Sequence, residues 1–275
     1  MKKILVPTDF SELSLAALDV AAMFARATSA EIVLYHKDFI ILPNIDFIEA
    51  PISTYDVETN EAIHNQTQKQ LETIIQSPKY DGISIVIYNT DDYEELGEAI
   101  SERTDIDLIV MGSEGASGWK EFLEGSNSES VVRHANCPVL VIKEPISTFY
   151  PRKVMFAVDF ETPFDDKLIK TLSHEIEQTY VVYVNTSDGF EDSRTINEKM
   201  AAFEKEHNLT DHEFVIYNDY SASNGVIHAA EDLQADLIVM STKARSGLSH
   251  FLFGSVTETV INHSSIPVLA TLAKH

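Results

Sequence analysis

The stretches DLIVMGSEGASGWKEFLEGS (107–126) and DLIVMSTKARSGLSHFLFGS (236–255) are two versions of one pattern. In each, a short apolar run meets a polar loop, and the loop ends in Gly-Ser ahead of a segment with helical apolar spacing. A run of that length bounded by turn residues reads as a buried strand handing over to a helix. The correspondence extends in both directions without a gap. IYN at 87–89 recurs at 216–218, and PVL at 138–140 recurs at 267–269, all displaced by 129 positions. This is an internal duplication, the signature of two copies of one structural unit.

The beginnings of the halves pair at a different offset. KKILVPTDF (2–10) matches RKVMFAVDF (152–160), which aligns Asp9 with Asp159 and leaves 21 extra residues in the first half. Much of the excess falls in residues 38–56, rich in Ile, Leu and Phe, which reads either as a loop packed on the protein itself or as a flap over a ligand. The boundary lies in EPISTFYPR (144–152), dividing a domain at 1–146 from one at 150–275.

Within the first half the pattern alternates. KILV is a strand, and residues 11–27 place Leu13, Ala16, Ala17, Val20, Ala21 and Phe24 at helical spacing behind the N-cap Ser11. EIVLYH (31–36) is a second strand, 58–76 a helix and ISIVIY (83–88) a third strand. A helix around Tyr93–Glu102, the strand DLIVM, a helix near Asn127–His134 and the strand VLVI complete the unit. Apolar strands alternating with helices predict an α/β fold: two repeated Rossmann-like domains, each an open five-stranded parallel sheet with helices on both faces.

Composition narrows the function. A formal charge of −24 over 275 residues opposes a nucleic-acid backbone or an anionic membrane surface as partner. No run of 18 apolar residues appears, and the start does not read as a signal peptide, so a cytoplasmic protein is expected. The single cysteine, Cys137, before Pro138 and an apolar run, reads as a buried structural residue rather than a disulfide or metal ligand.

The loop at 112–126 leaves a strand at the carboxyl edge, where open α/β sheets bind ligands. Gly112 and Gly115 are expected to supply positive φ and close approach of an anion to main-chain N–H groups. Gly125 and Ser126 open a helix whose dipole favours phosphate. Asp9, ending the first strand, either accepts hydrogen bonds from a sugar hydroxyl or base amine or caps the following helix.

The spacing Gly112, Gly115, Gly125, Ser126, with KKILVPTDFSE, DLIVMG and RHANCPVLVI, resembles the universal stress protein family over essentially the whole chain. The resemblance implies a tandem protein of adenine nucleotide alpha hydrolase-like domains, each like one subunit of the family's usual dimer. It implies ATP, with Mg²⁺, as cofactor. The adenosine end falls to Pro7, Thr8, Asp9 and the main chain at Lys37, and the phosphate end to Met111, Gly112, Glu114, Gly115, Gly125, Ser126, Asn127 and Ser128. The chain departs at Ala116, where members often carry a basic residue, and at GSN, where others read GSV.

In the second half Ser241 and Ala244 replace the leading glycines, while Asp159, Gly254, Ser255, Val256 and Thr257 persist. A Cβ at a position needing positive φ costs about 1 kcal/mol and fills space a phosphate would use. The first loop carries a net −2 and the second, with Lys243 and Arg245, a net +2. Sterics are taken to outweigh charge, because a clash cannot be screened. The first half is therefore expected to hold the nucleotide, and the second to form a weaker site that includes Lys243.

His134 and His263, equivalent in the two halves, read as helix C-terminal cations. No zinc-protease spacing, nucleophile elbow or Walker loop is present, so at most slow ATP hydrolysis is expected. The leading function is a nucleotide-binding stress or signalling module; the alternatives are a non-nucleotide scaffold and, more weakly, an adenylyl transferase. The apolar last strands, PVLVI and PVLAT, are expected to meet within one chain or between chains, the latter giving a homodimer through those edges.

Overall fold

The computed structural model describes residues 1–38, 54–90, 100, 103–113, 131, 135–146, 148–163, 176–243 and 254–273. The first half contains β1 (Lys3–Pro7), α1 (Glu12–Thr28), β2 (Glu31–Lys37), α2 (Thr54–Ile75), β3 (Ile85–Thr90), β4 (Leu108–Gly112) and β5 (Val139–Ile142). The second contains β6 (Lys153–Val158), β7 (Gln178–Thr186), α3 (Ser193–His207), β8 (Glu213–Asp219), α4 (Ala222–Asp232), β9 (Leu237–Lys243), α5 (Ser255–His263) and β10 (Val268–Ala273). Ile100 and Val131 are helical, as expected; the rest of the helices expected at 93–102 and 127–134 lies outside the described residues, as does 39–53 of the long segment.

All ten strands form one sheet in the order β3-β2-β1-β4-β5-β10-β9-β6-β7-β8. Within each half every pairing is parallel. The strands read as continuous apolar runs because both faces of the sheet are covered. Leu5, Ile109, Met111, Val141, Ile238 and Val268 join one buried cluster, while Ile4, Val6, Leu108, Val110, Leu140, Val239 and Leu269 join another. Successive residues thus alternate between two cores, and each core runs through both halves. Helix α1 can lie close to the sheet because its buried face is largely alanine, and Ser11 caps it by accepting from the Ser14 N–H at 3.2 Å.

The halves join through antiparallel β5 and β10, with Val141, Leu140 and Val139 opposite Val268, Leu269 and Ala270. Of the two pairings left open for the last strands, this is the one within the chain. Both last-strand edges are hydrogen-bonded to each other inside the chain, so neither is left to pair with a second copy, and the exposed sheet edges are β3 and β8.

The aspartate opening each DLIVM run has a role that composition did not suggest. Asp107 Oδ2 accepts from the N–H groups of Lys2 and Lys3 at 2.5 and 3.0 Å, and Asp236 Oδ2 accepts from Arg152 and Lys153 at 2.9 and 2.8 Å. Each carboxylate ties the start of one central strand to its neighbour. Burial works against ionisation of Asp107, but the two N–H groups outweigh it and hold the carboxyl below the usual aspartate value. Asp107→Ala and Asp236→Ala are each expected to cost about 1 kcal/mol, read as a lower urea midpoint. Because the folded value of Asp107 is depressed, its contribution is full above the ordinary aspartate value of about 3.9 and is lost as pH falls through the lower folded value.

A second contact ties the halves together. Lys143, just after β5 and only 8% exposed, donates from Nζ to the Ile261 carbonyl in the last turn of α5. Burial pushes its ammonium down from 10.5 to about 8. In that window the unfolded chain binds the extra proton, so stability rises with pH. Lys143→Met is expected to be at least as stable as wild type at about pH 7 and to lack this rise at about pH 9.5, measured by urea unfolding. The linker is also anchored on α1: the Phe149 N–H points at Met23 Sδ at 3.3 Å, and its ring meets Phe24 edge-on at 6.1 Å. Cys137 is buried, as expected.

Candidate functional site

In the first half the chain builds β1, β2 and β3 to one side, then returns to place β4 and β5 on the other. The strand order thus reverses between β1 and β4, and the crevice outside the carboxyl ends of strands at such a point is where these sheets bind ligands. The second half repeats this with β6 and β9. Because β5 and β10 are antiparallel, the two crevices open on opposite edges of the sheet.

Pro7 ends β1, Lys37 ends β2, and Met111 and Gly112 end β4, so these expected contacts gather at one carboxyl edge. The Met111 side chain is in the core, leaving only its main chain at the edge. Glu114, Gly115, Gly125, Ser126, Asn127 and Ser128 lie outside the described residues.

The structure separates the two roles weighed for Asp9. Ser11, not Asp9, caps α1, and Asp9 Oδ1 accepts from the Ser11 N–H at 2.9 Å. Asp9 is exposed. Burial of its carboxyl opposes ionisation, yet hydrogen bonding from Ser11 and Ser14 prevails and holds it below the usual value. A carboxylate has about four acceptor positions, so Asp9 keeps room for a further donor.

Thr8 braces the turn from beneath. It is 7% exposed; its N–H donates to Tyr35 O at 2.8 Å, its carbonyl lies 2.7 Å from His36 Nδ1, and its hydroxyl meets Ser14 Oγ and the Phe10 N–H, both at 3.1 Å. Since a carbonyl only accepts, His36 Nδ1 is the donor. Asp38, 5% exposed just after β2, receives His64 Nδ1 on Oδ2 at 2.6 Å, and its Oδ1 lies 3.6 Å from His36 Nε2.

Gly112 is required for a different reason from the one expected. Positive φ is recorded at Gly82 and not at Gly112. A Cβ on Gly112 would stand 2.6 Å from Leu13 C and O and 2.8 Å from its Cβ. The missing side chain makes room for the first turn of α1, not for positive φ. At the equivalent Ser241 the hydroxyl meets Thr271 Oγ1 at 2.9 Å. There β9 continues to Lys243, paired with Ala273, so Lys243 belongs to a strand rather than to the loop where it was expected.

In the second half Asp159 is heavily committed. Its Oδ1 accepts from the N–H groups of Glu161 and Thr162 at 2.9 and 2.7 Å, and its Oδ2 from the Thr162 hydroxyl at 2.9 Å. Gly254 occupies the N-cap of α5 without a side-chain cap, Ser255 and Val256 are exposed, and Thr257 is buried.

Sequence reasoning overlooked the residues after the two aspartates. Phe10 and Phe160 adopt φ of 68° and 60°. Left-handed backbone costs about 1–2 kcal/mol for a residue with a side chain. Ring packing offsets it: Phe10 lies 4.6 Å from His36, and Phe160 lies 4.7 Å from Tyr183 and 5.7 Å from Phe203. The signal was the repeated Asp-Phe pair itself.

The sequence model of the universal stress protein family matches residues 1–143 and again residues 151–271. The chain belongs to the universal stress protein family. It holds two universal stress domains in tandem. Universal stress protein MJ0577 of Methanocaldococcus jannaschii is 30% identical over 154 residues, 52% of this chain and 94% of that protein. Universal stress protein MJ0531 of the same organism is 32% identical over 152 residues, 52% of this chain and 83% of that protein. A crystal structure of a universal stress protein from Archaeoglobus fulgidus shares the fold, with a TM-score of 0.69 over 98% of this chain and 96% of its own at 21% identity. No helix among the described residues is long and apolar enough to cross a membrane.

Proposed function

We propose that this universal stress protein binds an adenine nucleotide, ATP with Mg²⁺, mainly at the carboxyl edge of its first domain. Occupancy then sets a conformational or partner-binding state in stress response or signalling. Pro7, Thr8, Asp9 and the Lys37 main chain form the adenosine end. Met111, Gly112, Glu114, Gly115, Gly125, Ser126, Asn127 and Ser128 form the phosphate end. Asp159, Lys243, Gly254, Ser255, Val256 and Thr257 are the counterparts of these residues in the second domain.

The observation that carries this reading is the exposed carboxylate of Asp9 at the β1/β4 crevice, which does not have to cap α1 because Ser11 does. Ribose hydroxyls and an adenine amine are donors, and Asp9 is an acceptor with positions to fill. The nucleotide would supply hydroxyl donors at one end and a phosphate anion at the other, where main-chain N–H groups and a helix dipole favour it.

The test is to denature purified protein, assay the supernatant for adenine nucleotide, and titrate nucleotide-free protein with MgATP by calorimetry. Co-purified nucleotide or saturable heat supports the reading. Neither would overturn it and leave the scaffold alternative.

A further inference from the structure

We infer that Thr162 closes the second domain to nucleosides by turning Asp159 from a ligand acceptor into an internal turn cap, so that the chain has one nucleoside site and not two. The inference deepens the proposed function and rests on it for the identity of the ligand, while its structural half stands on contacts in this chain alone.

The two aspartates occupy the same place after β1 and β6, each followed by a phenylalanine with positive φ. Their surroundings then differ: Phe-Ser-Glu-Leu follows Asp9, and Phe-Glu-Thr-Pro follows Asp159. Three residues after Asp159 stands Thr162; three residues after Asp9 stands Glu12. Glutamate has no hydroxyl to donate, and in the first domain the cap passes to Ser11, which accepts from Ser14. In the second domain Thr162 gives Asp159 both its N–H and its hydroxyl, and Glu161 adds a third hydrogen bond. Asp159 thus accepts three hydrogen bonds from the two residues of its own turn, leaving about one acceptor position, whereas no threonine hydroxyl reaches Asp9.

Thr162 is 8% exposed, so its hydroxyl is held in place rather than left to swing into solvent. Both residues line a cleft, with Val158, Pro163 and Ser241, at the β6/β9 crevice. The Ser241 hydroxyl in the same wall is itself paired with Thr271. A ribose entering here would have to displace contacts the protein already makes, whereas at Asp9 it would add contacts.

The test compares Asp9→Ala, Asp159→Ala and Thr162→Val in the full chain, by thermal unfolding without nucleotide and by MgATP calorimetry. Asp159→Ala is expected to lower the unfolding temperature by roughly 4 °C and Asp9→Ala by less than about 2 °C. Thr162→Val should give part of the Asp159→Ala loss, and the double variant no more than Asp159→Ala alone, as for two residues acting through one contact. MgATP should bind wild type once per chain, with binding abolished by Asp9→Ala and unchanged by Asp159→Ala. A merely structural Asp159 without the proposed division would not separate the two variants in this way. Two MgATP per chain, one of them lost in Asp159→Ala, would overturn the inference. If wild type binds no MgATP, the proposed function fails, and the ligand-free comparison still judges this inference: equal losses for the two aspartates overturn it.

Discussion

Gly112→Ala is expected to destabilise the protein by about 2–3 kcal/mol, read as a lowered urea midpoint at unchanged m-value. The added Cβ would meet backbone atoms of Leu13 at 2.6 Å, and backbone cannot rotate out of the way as a side-chain tip can. The first turn of α1 would have to lift from the end of β4, loosening the buried contacts of Leu13, Ala16 and Ala17 behind it. The converse change in the second domain should be mild. Ser241→Gly loses one hydroxyl contact with Thr271 and some strand preference, about 1 kcal/mol. If Gly112 instead served only to admit a ligand, Gly112→Ala would unfold like wild type and lose only MgATP binding. Unfolding curves of the two variants therefore separate a packing glycine from a binding one.

Asp9→Asn is expected to weaken MgATP binding about 10- to 100-fold while leaving the unfolding temperature within about 2 °C of wild type. Asparagine keeps the amide oxygen that can accept the Ser11 N–H, and Ser11 continues to cap α1, so the turn is preserved. The substitution removes the charge and exchanges one acceptor oxygen for a donor, which is unsuited to a ribose hydroxyl on an acceptor. Calorimetry on nucleotide-free protein measures it. Unchanged affinity would remove Asp9 from the site.

The fold was legible in the sequence because the features that set it are local or repeated. Short apolar runs alternating with helical spacing required parallel strands covered on both faces, and the repeat of DLIVM 129 positions on required two of them. Ser11 as cap and Cys137 as a buried residue were equally readable, since each depends on its near neighbours. The site was legible only in outline. Sequence spacing placed Pro7, Asp9, Lys37 and Gly112 at strand ends, but the work of each depends on what another element brings to it. Gly112 looked like a hinge and is a seat for Leu13, which is far away in sequence. Lys243 looked like a loop cation and is the last residue of a strand, because β10 is long enough to pair with it.

The sequence by itself determined two α/β units of one plan, their alternating strands and helices, and the carboxyl edges on which their candidate residues fall. Periodicity and repetition are properties of the chain, and hydrophobic burial converts them into strands and helices with little freedom. Tertiary structure alone decided that β5 pairs with β10 inside the chain, which joins the halves into one sheet and sets their crevices on opposite edges. It also decided that one of two matching aspartates is held by a neighbouring threonine while the other stays available. Strand edges and carboxylates each accept more than one partner of similar worth, so the choice rests on which group the fold brings within hydrogen-bonding distance.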